Sequence, residues 1–218
     1  MFKLKDIHVY ILNWKKVSNN SLLLYQRIFP IIPNTVIINC DESLILSNDI
    51  KHIQLDDSHY YGSQYSKSIK HVKDGAIFCV ITGDNIPDND FKKIFRRALR
   101  TFNTYNVGVY APNDKRSVHN TVYENVKEKL YKVPNTDCGF WFINPFIVSI
   151  LKNLNYTVSK YGWGIDVITI QESTKHGMMA LRDYSISTDQ LDHTCGYNHK
   201  KAEHDMQLLF NLYNARNF

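Results

Sequence analysis

A chain of 218 residues, 44% hydrophobic and 22% charged, has the make-up of a folded α/β-sized domain with one substantial core, which excludes intrinsic disorder and a coiled coil. Its formal charge of +5 is spread over Lys15-Lys16, Lys92-Lys93, Arg96-Arg97, Arg100 and Lys200-Lys201, so the dense patch of a nucleic-acid binder is missing, while solvated helix faces, a diphosphate ligand, an anionic acceptor or peripheral membrane contact remain compatible. The four cysteines, Cys40, Cys79, Cys138 and Cys195, form no CxxC pair, which argues against a zinc knuckle or a disulfide scaffold.

Ile7 to Leu12 predicts a first strand. Ser18-Asn19-Asn20-Ser21 offers caps for a helix carrying Leu22, Leu23, Tyr25, Gln26 and Phe29, which ends before Pro30 and Pro33. Val36 to Asn39 predicts a second strand that stops at Cys40-Asp41-Glu42-Ser43, and His52 to Leu55 a short third one before a helix from about Ser63 to Val72. The apolar run Ala76 to Ile81 ends in Thr82-Gly83-Asp84-Asn85, Pro87 closes the turn, and Asp88-Asn89-Asp90 caps a basic helix through Phe102. Strands separated by helical stretches of roughly 10 to 15 residues imply crossovers and a largely parallel sheet. Cys40 and Cys79 fall within these apolar runs and read as reduced core residues.

From Asn106 the pattern is mixed. Val107 to Tyr110 predicts a strand, Ala111-Pro112-Asn113-Asp114 a turn, and the stretch through Lys132 is amphipathic without a clear period. Cys138 to Ile143 reads as a strand and Pro145 to Leu154 as a helix. Gly162-Trp163-Gly164-Ile165-Asp166 is a turn feeding a helix to about Lys175, Met178 to Tyr184 a late strand, and Lys200 to Tyr213 a helix with Met206, Leu209, Phe210 and Tyr213 at helical spacing. No repeat or low-complexity linker divides the chain, so residues 1–218 are expected to form a single domain. No apolar stretch reaches bilayer-spanning length and no signal-peptide pattern opens the chain, making a cytoplasmic location the default expectation.

Four groups fall at strand ends or turns. Asp41 follows Val-Ile-Ile-Asn-Cys, where a carboxylate could accept from a base imide or ribose hydroxyl; a turn or helix cap is the alternative. Tyr60-Tyr61-Gly62-Ser63 with Lys67 places an aromatic and a lysine where a base and a phosphate could be met, or simply begins a helix. Thr82-Gly83-Asp84 sets a carboxylate at the carboxyl end of an inner strand, where open α/β sheets bind ligands. Gly162-Trp163-Gly164 combines close backbone approach with an indole face suited to a pyranose, and Asp166 follows as a candidate base or a helix cap.

In their order, these groups resemble the inverting, family-2-like nucleotide-sugar glycosyltransferases of the GT-A fold, a resemblance covering about Ile7 to Met206. It implies an α/β fold with a mixed, largely parallel sheet, its nucleotide-binding half at about residues 1–105 and its acceptor-binding half at about 106–218. It also implies Mn²⁺ or Mg²⁺ held by Asp84 and a late histidine, His193, with Asp41, Tyr61, Gly62, Lys67, Thr82, Gly83 and Trp163 on the donor. The donor would be a nucleotide sugar, a UDP-sugar first, and the acceptor a glycan or glycoconjugate hydroxyl activated by Asp166, with Asp137 as second candidate for base. Such enzymes usually carry Asp-X-Asp where this chain has Thr82-Gly83-Asp84, so a noncatalytic nucleotide-sugar or glycan-binding module is the alternative. A nucleotidyltransferase would open with a glycine-rich basic loop, and Asn13-Trp14-Lys15-Lys16 has no glycine.

Overall fold

The apolar run Ile7–Asn13 forms β1, and Thr35–Asn39 (β2), His52–Gln54 (β3) and Ile77–Thr82 (β4) align parallel to it in the order β3-β2-β1-β4. The structure, a computed structural model, describes residues 1–88, 90–119, 121–192 and 196–215. All six residues of β4 are buried, as a strand covered on both faces requires. Crossovers are made by Ser18–Ile28 (α1) between β1 and β2 and by Tyr61–His71 (α2) between β3 and β4.

The sheet continues as β9-β6-β10-β8-β7. Val107–Asp114 is β6, Glu124–Lys127 is β7, Leu130–Lys132 is β8, Phe140–Ile143 is β9 and Met179–Gln190 is β10. β9 runs antiparallel between β4 and β6, β10 runs parallel to β6, and the short Asn85–Pro87 strand (β5) pairs antiparallel with the end of β10. The result is the single mixed, largely parallel sheet expected from the sequence.

Helices cover both faces. On one, α1 and Phe91–Thr104 (α3) set Leu24, Ile28, Ile94 and Phe95 against Ile11, Ile37 and Ile81. On the other lie α2, Pro145–Leu151 (α4), Ile165–Lys175 (α5) and His199–Tyr213 (α6), with Tyr65, Ile69, Leu151, Ile168 and Phe210 against Leu12, Ile38, Val80 and Trp141. Each such side chain contributes about 1.5–3 kcal/mol when fully buried, so the two faces together hold the layers in place. Asp90 caps α3 as expected, accepting from the Lys92 amide. Cys40 and Cys79 are buried free thiols.

Three local expectations are corrected, and the stretch left without an assigned element is resolved. α1 begins at Ser18 without a side-chain cap because a 3-10 turn over Lys15–Val17 delivers the chain into it, so Asn19, Asn20 and Ser21 lie inside the helix. Pro87 belongs to β5 rather than closing a turn. Ala111-Pro112-Asn113-Asp114 continues β6, since beyond Tyr110 that strand pairs only with β10 and a residue without an N–H is accommodated there. The amphipathic stretch before Lys132 holds the β7–β8 hairpin, whose two-residue turn uses Glu128 at φ +48°.

Candidate active site

The carboxyl ends of β1 and β4, the segment before β9 and the start of α5 enclose a cavity of about 920 Å³. Six of the residues to which the resemblance gives a catalytic, donor or metal role meet in its lining: Tyr61, Thr82, Asp84, Asp137, Trp163 and Asp166. Gly162 and Gly164 also line it.

The turn after β4 is held tightly. Asn20 donates from Nδ2 to the carbonyls of Gly83 (2.7 Å) and Asn85 (3.0 Å), fastening it to α1. A side chain at position 83 would meet Ser21 Oγ, Val17 Cγ2 at 2.6 Å and the Leu12 carbonyl oxygen at 2.9 Å, so glycine lets α1 lie against the turn. Gly83 therefore shapes the wall behind the cavity. Thr82 donates its hydroxyl to the Gly139 carbonyl at 3.2 Å, and Asp84, buried, takes the Leu191 amide on its own carbonyl at 2.8 Å.

Asp41 and Lys67 do not line the cavity. Asp41 accepts from Ser18 Oγ (2.7 Å) and from the Ser43 amide (3.0 Å) and hydroxyl (2.5 Å). Burial pushes its carboxyl upward, but the hydrogen bonds from Ser43 and Ser18 outweigh this and hold it below the usual carboxylate value. Those partners make Asp41 a tie between the ends of β1 and β2, together with Asn13, which donates to Asn39 at 2.6 Å. Lys67 is exposed on α2. His193 lies outside the described residues.

Gly62 packs against the backbone of the segment before α5, where an added Cβ would fall on the Ser159 carbonyl oxygen. That approach carries Tyr61 to the cavity, its hydroxyl donating to the Cys138 carbonyl at 2.8 Å. Gly162 (φ +84°) and Gly164 (φ +86°) adopt left-handed conformations that side-chain-bearing residues disfavour, and between them Trp163 donates from Nε1 to the Tyr197 hydroxyl at 2.9 Å. Tyr161, Tyr197 and His199 stack in succession beside that indole, with ring centroids 4.9 and 5.3 Å apart.

Asp166 stands in the first turn of α5 with 16% of its side chain exposed, 3.8 Å from His119 Nε2. Burial raises its carboxyl above the ordinary value; the Val167 amide and the His119 imidazole pull it down, and Asp137 pushes it up again. Asp137 Oδ2 is buried without a hydrogen-bond partner among the described residues. Asp114, at the end of β6, is likewise raised by burial, against hydrogen bonds from the Arg116 amide (2.9 Å) and Gln190 Nε2 (2.6 Å). The buried Arg182 on β10 donates from its guanidinium to the carbonyls of both His119 and Asn135, so one side chain fixes the segments that carry His119 and Asp137. A carboxyl with raised pKa beside a second acid, in a cleft, is the arrangement proton transfer needs.

For a metal, no group of three or more His, Cys, Asp or Glu side chains is placed to hold an ion among the described residues. The Asp84 carboxylate with Thr82 beside it fits a hard cation that completes its shell from a ligand's phosphate oxygens. Sequence reasoning missed Trp14, His119 and Tyr197 in the lining. Trp14 directly follows the end of β1 and was within reach of strand-end logic; His119 and Tyr197 lie in stretches without periodicity.

No protein-family model and no curated protein matches the chain. Among solved structures, mannosyltransferase PcManGT from Pyrobaculum calidifontis, in complex with GDP-Man and Mn²⁺, superposes with a TM-score of 0.64 at 10% identity over 96% of this chain and 64% of that one. GalNAc-T7 with UDP, GalNAc and Mn²⁺ gives 0.61 at 9% identity over 94% of this chain and 48% of that one. A protein assigned as a glucose-1-phosphate thymidylyltransferase from Bacillus anthracis, in complex with a sucrose, gives 0.55 at 12% identity over 97% of both. The chain therefore has the nucleotide-diphospho-sugar transferase fold, shared by glycosyltransferases and sugar nucleotidyltransferases.

Proposed function

We propose that this protein is a glycosyltransferase that moves a sugar from a nucleoside diphosphate sugar to a hydroxyl of a glycan or glycoconjugate. The observation that carries this reading is the meeting of Asp84, Trp163 and Asp166 in one cavity at the carboxyl ends of parallel strands. Asp166 is the base: its carboxylate takes the acceptor's hydroxyl proton as the oxygen bonds to the anomeric carbon and the nucleoside diphosphate leaves from the opposite face, giving inversion. Trp163, its indole oriented by Tyr197, offers an apolar face to the donor sugar, and Tyr61 lines the same space. Asp84 and Thr82 would hold a Mn²⁺ or Mg²⁺ that neutralises charge on the departing diphosphate.

A screen of UDP-, GDP- and dTDP-sugars by thermal shift, with and without Mn²⁺, identifies the donor, because a ligand at about 100 times its Kd stabilises the folded state by about 2.7 kcal/mol. With that donor, Asp166→Asn is expected to cut transfer by about 100-fold or more while donor affinity stays within a few-fold. Loss of donor binding together with activity would make Asp166 a binding residue instead.

Nucleotidyl transfer is the second reading. It is favoured by Lys15 and Lys16, which line the cavity from the turn after β1, and by the thymidylyltransferase likeness that spans nearly all of both chains. Its signature would be release of inorganic diphosphate from a nucleoside triphosphate and a sugar 1-phosphate, where glycosyl transfer releases a nucleoside diphosphate. Binding without either product would leave a noncatalytic module.

A further inference from the structure

We propose that His119 is a positioning residue for Asp166, a counter-charge held beside the carboxylate so that it stays ionised inside a cavity that disfavours charge. The inference rests on the reading of Asp166 as base. His119 Nε2 lies 3.8 Å from Asp166 Oδ2, beyond hydrogen-bond reach, so the interaction is coulombic. His119 does not drift there on a loose chain. Arg182, buried in β10, clamps the His119 carbonyl and, through its other terminal nitrogen, the Asn135 carbonyl at 3.0 Å, and the His119 amide donates to Ser117 Oγ at 3.0 Å.

The surroundings of Asp166 explain why a cation is needed. Besides His119 it faces Asp137, Cys138 and the Tyr61 phenol, and its own helix contributes the Val167 amide. None of these neighbours except the imidazole brings positive charge, and Asp137 carries a buried carboxylate oxygen with no partner among the described residues. Positive charge on the imidazole at this distance works against both the neighbouring acid and the burial, which together still leave the carboxyl raised. Removing the imidazole would leave a base that is protonated over more of the pH range and therefore idle there.

The test follows Asp166 itself. In protein labelled with ¹³C at aspartate carboxyls, the Asp166 signal is identified by its loss in Asp166→Asn and then titrated in wild type, His119→Gln and His119→Lys. The expected result is a midpoint shifted upward in H119Q and returned toward wild type in H119K, which keeps a cation. An Asp166 midpoint unmoved in H119Q, or moved equally in both variants, overturns the proposal. If transfer is measurable, H119Q loses most at the acid end of the pH profile and recovers as pH rises, whereas a merely structural role would lower the rate at every pH. The titration needs no turnover: should D166N retain full transfer, the reading of Asp166 as base falls while the electrostatic link between the two residues is still judged by the midpoint.

Discussion

The proposed base, Asp166, sits where its ionisation costs stability. Its carboxyl binds a proton more tightly in the folded protein than in the unfolded chain, so ionising it at neutral pH works against the native state. The penalty is present above the raised folded value and vanishes once pH falls below the ordinary carboxylate value, where both states are protonated. Asp166→Asn is therefore expected to raise the melting temperature at pH 7, by about 2–4 °C for each kcal/mol relieved in a domain of this size, and to leave it unchanged at pH 3. A fall at pH 7 would instead show that the favourable placement of its charge in the first turn of α5 outweighs the cost of its burial. Asp41 shows the opposite balance: its carboxyl is held low by hydroxyl and amide donors.

Glycines set the spacing between elements in two distinct ways. At Gly62 the backbone is unremarkable but α2 presses on the Ser159 carbonyl; at Gly177, just before β10, φ is +68° and nothing lies within 4 Å of the missing Cβ. Gly62→Ala should thus cost about 1–3 kcal/mol or more through overpacking, with a shift of Tyr61 that also weakens ligand binding. Gly177→Ala should cost about 1–2 kcal/mol of backbone strain and leave binding untouched. Equal binding in the two variants by calorimetry, after both are shown folded by denaturant titration, would contradict this division.

Elements with strong local chemistry were readable from sequence: β1, β2 and β4 from apolar runs, α3 from its Asp90 cap, and the Thr82-Gly83-Asp84 turn from its abrupt change in polarity. What hid was decided at long range. Pro112 mimics a turn because the missing neighbour of β6 beyond Tyr110 is invisible in sequence, and β5 exists only because the end of β10 arrives to pair with it. Likewise the family resemblance implied a shared cleft for Asp84, Trp163 and Asp166, but the occupation of Asp41 by Ser18 and Ser43 and the approach of His119 depend on folded loops.

Across the whole molecule, one buried charge cluster binds the layers. Asp183 on β10, 1% exposed, accepts from Arg97 of α3 at 2.6 Å, from Tyr110 of β6 at 2.9 Å and from Ser185 at 2.5 Å. Burial alone would raise its carboxyl, yet Arg97 and Ser185 hold it below the usual range. A depressed folded value means that its stabilisation is complete above the unfolded carboxylate pKa of about 4 and is lost as pH falls through the lower folded value. Asp183→Asn should cost about 3–5 kcal/mol at pH 7, by leaving Arg97 unpaired in a partly buried position, and should flatten the acid limb of the stability curve measured by urea unfolding. An acid limb identical to wild type would show that other carboxylates govern it.

The order of strands in the sheet also bears on how the chain is made. β9 is synthesised after β6 yet lies between β4 and β6, and β5 waits for the last residues of β10. A growing polypeptide emerging from the ribosome therefore cannot complete this sheet in register as it appears, and β4 and β6 must stay apart until their intervening strand is delivered. Stopping translation before residue 140 would leave the facing edges of β4 and β6 without their intervening strand and β6 also without β10, the kind of surface that chaperones retain.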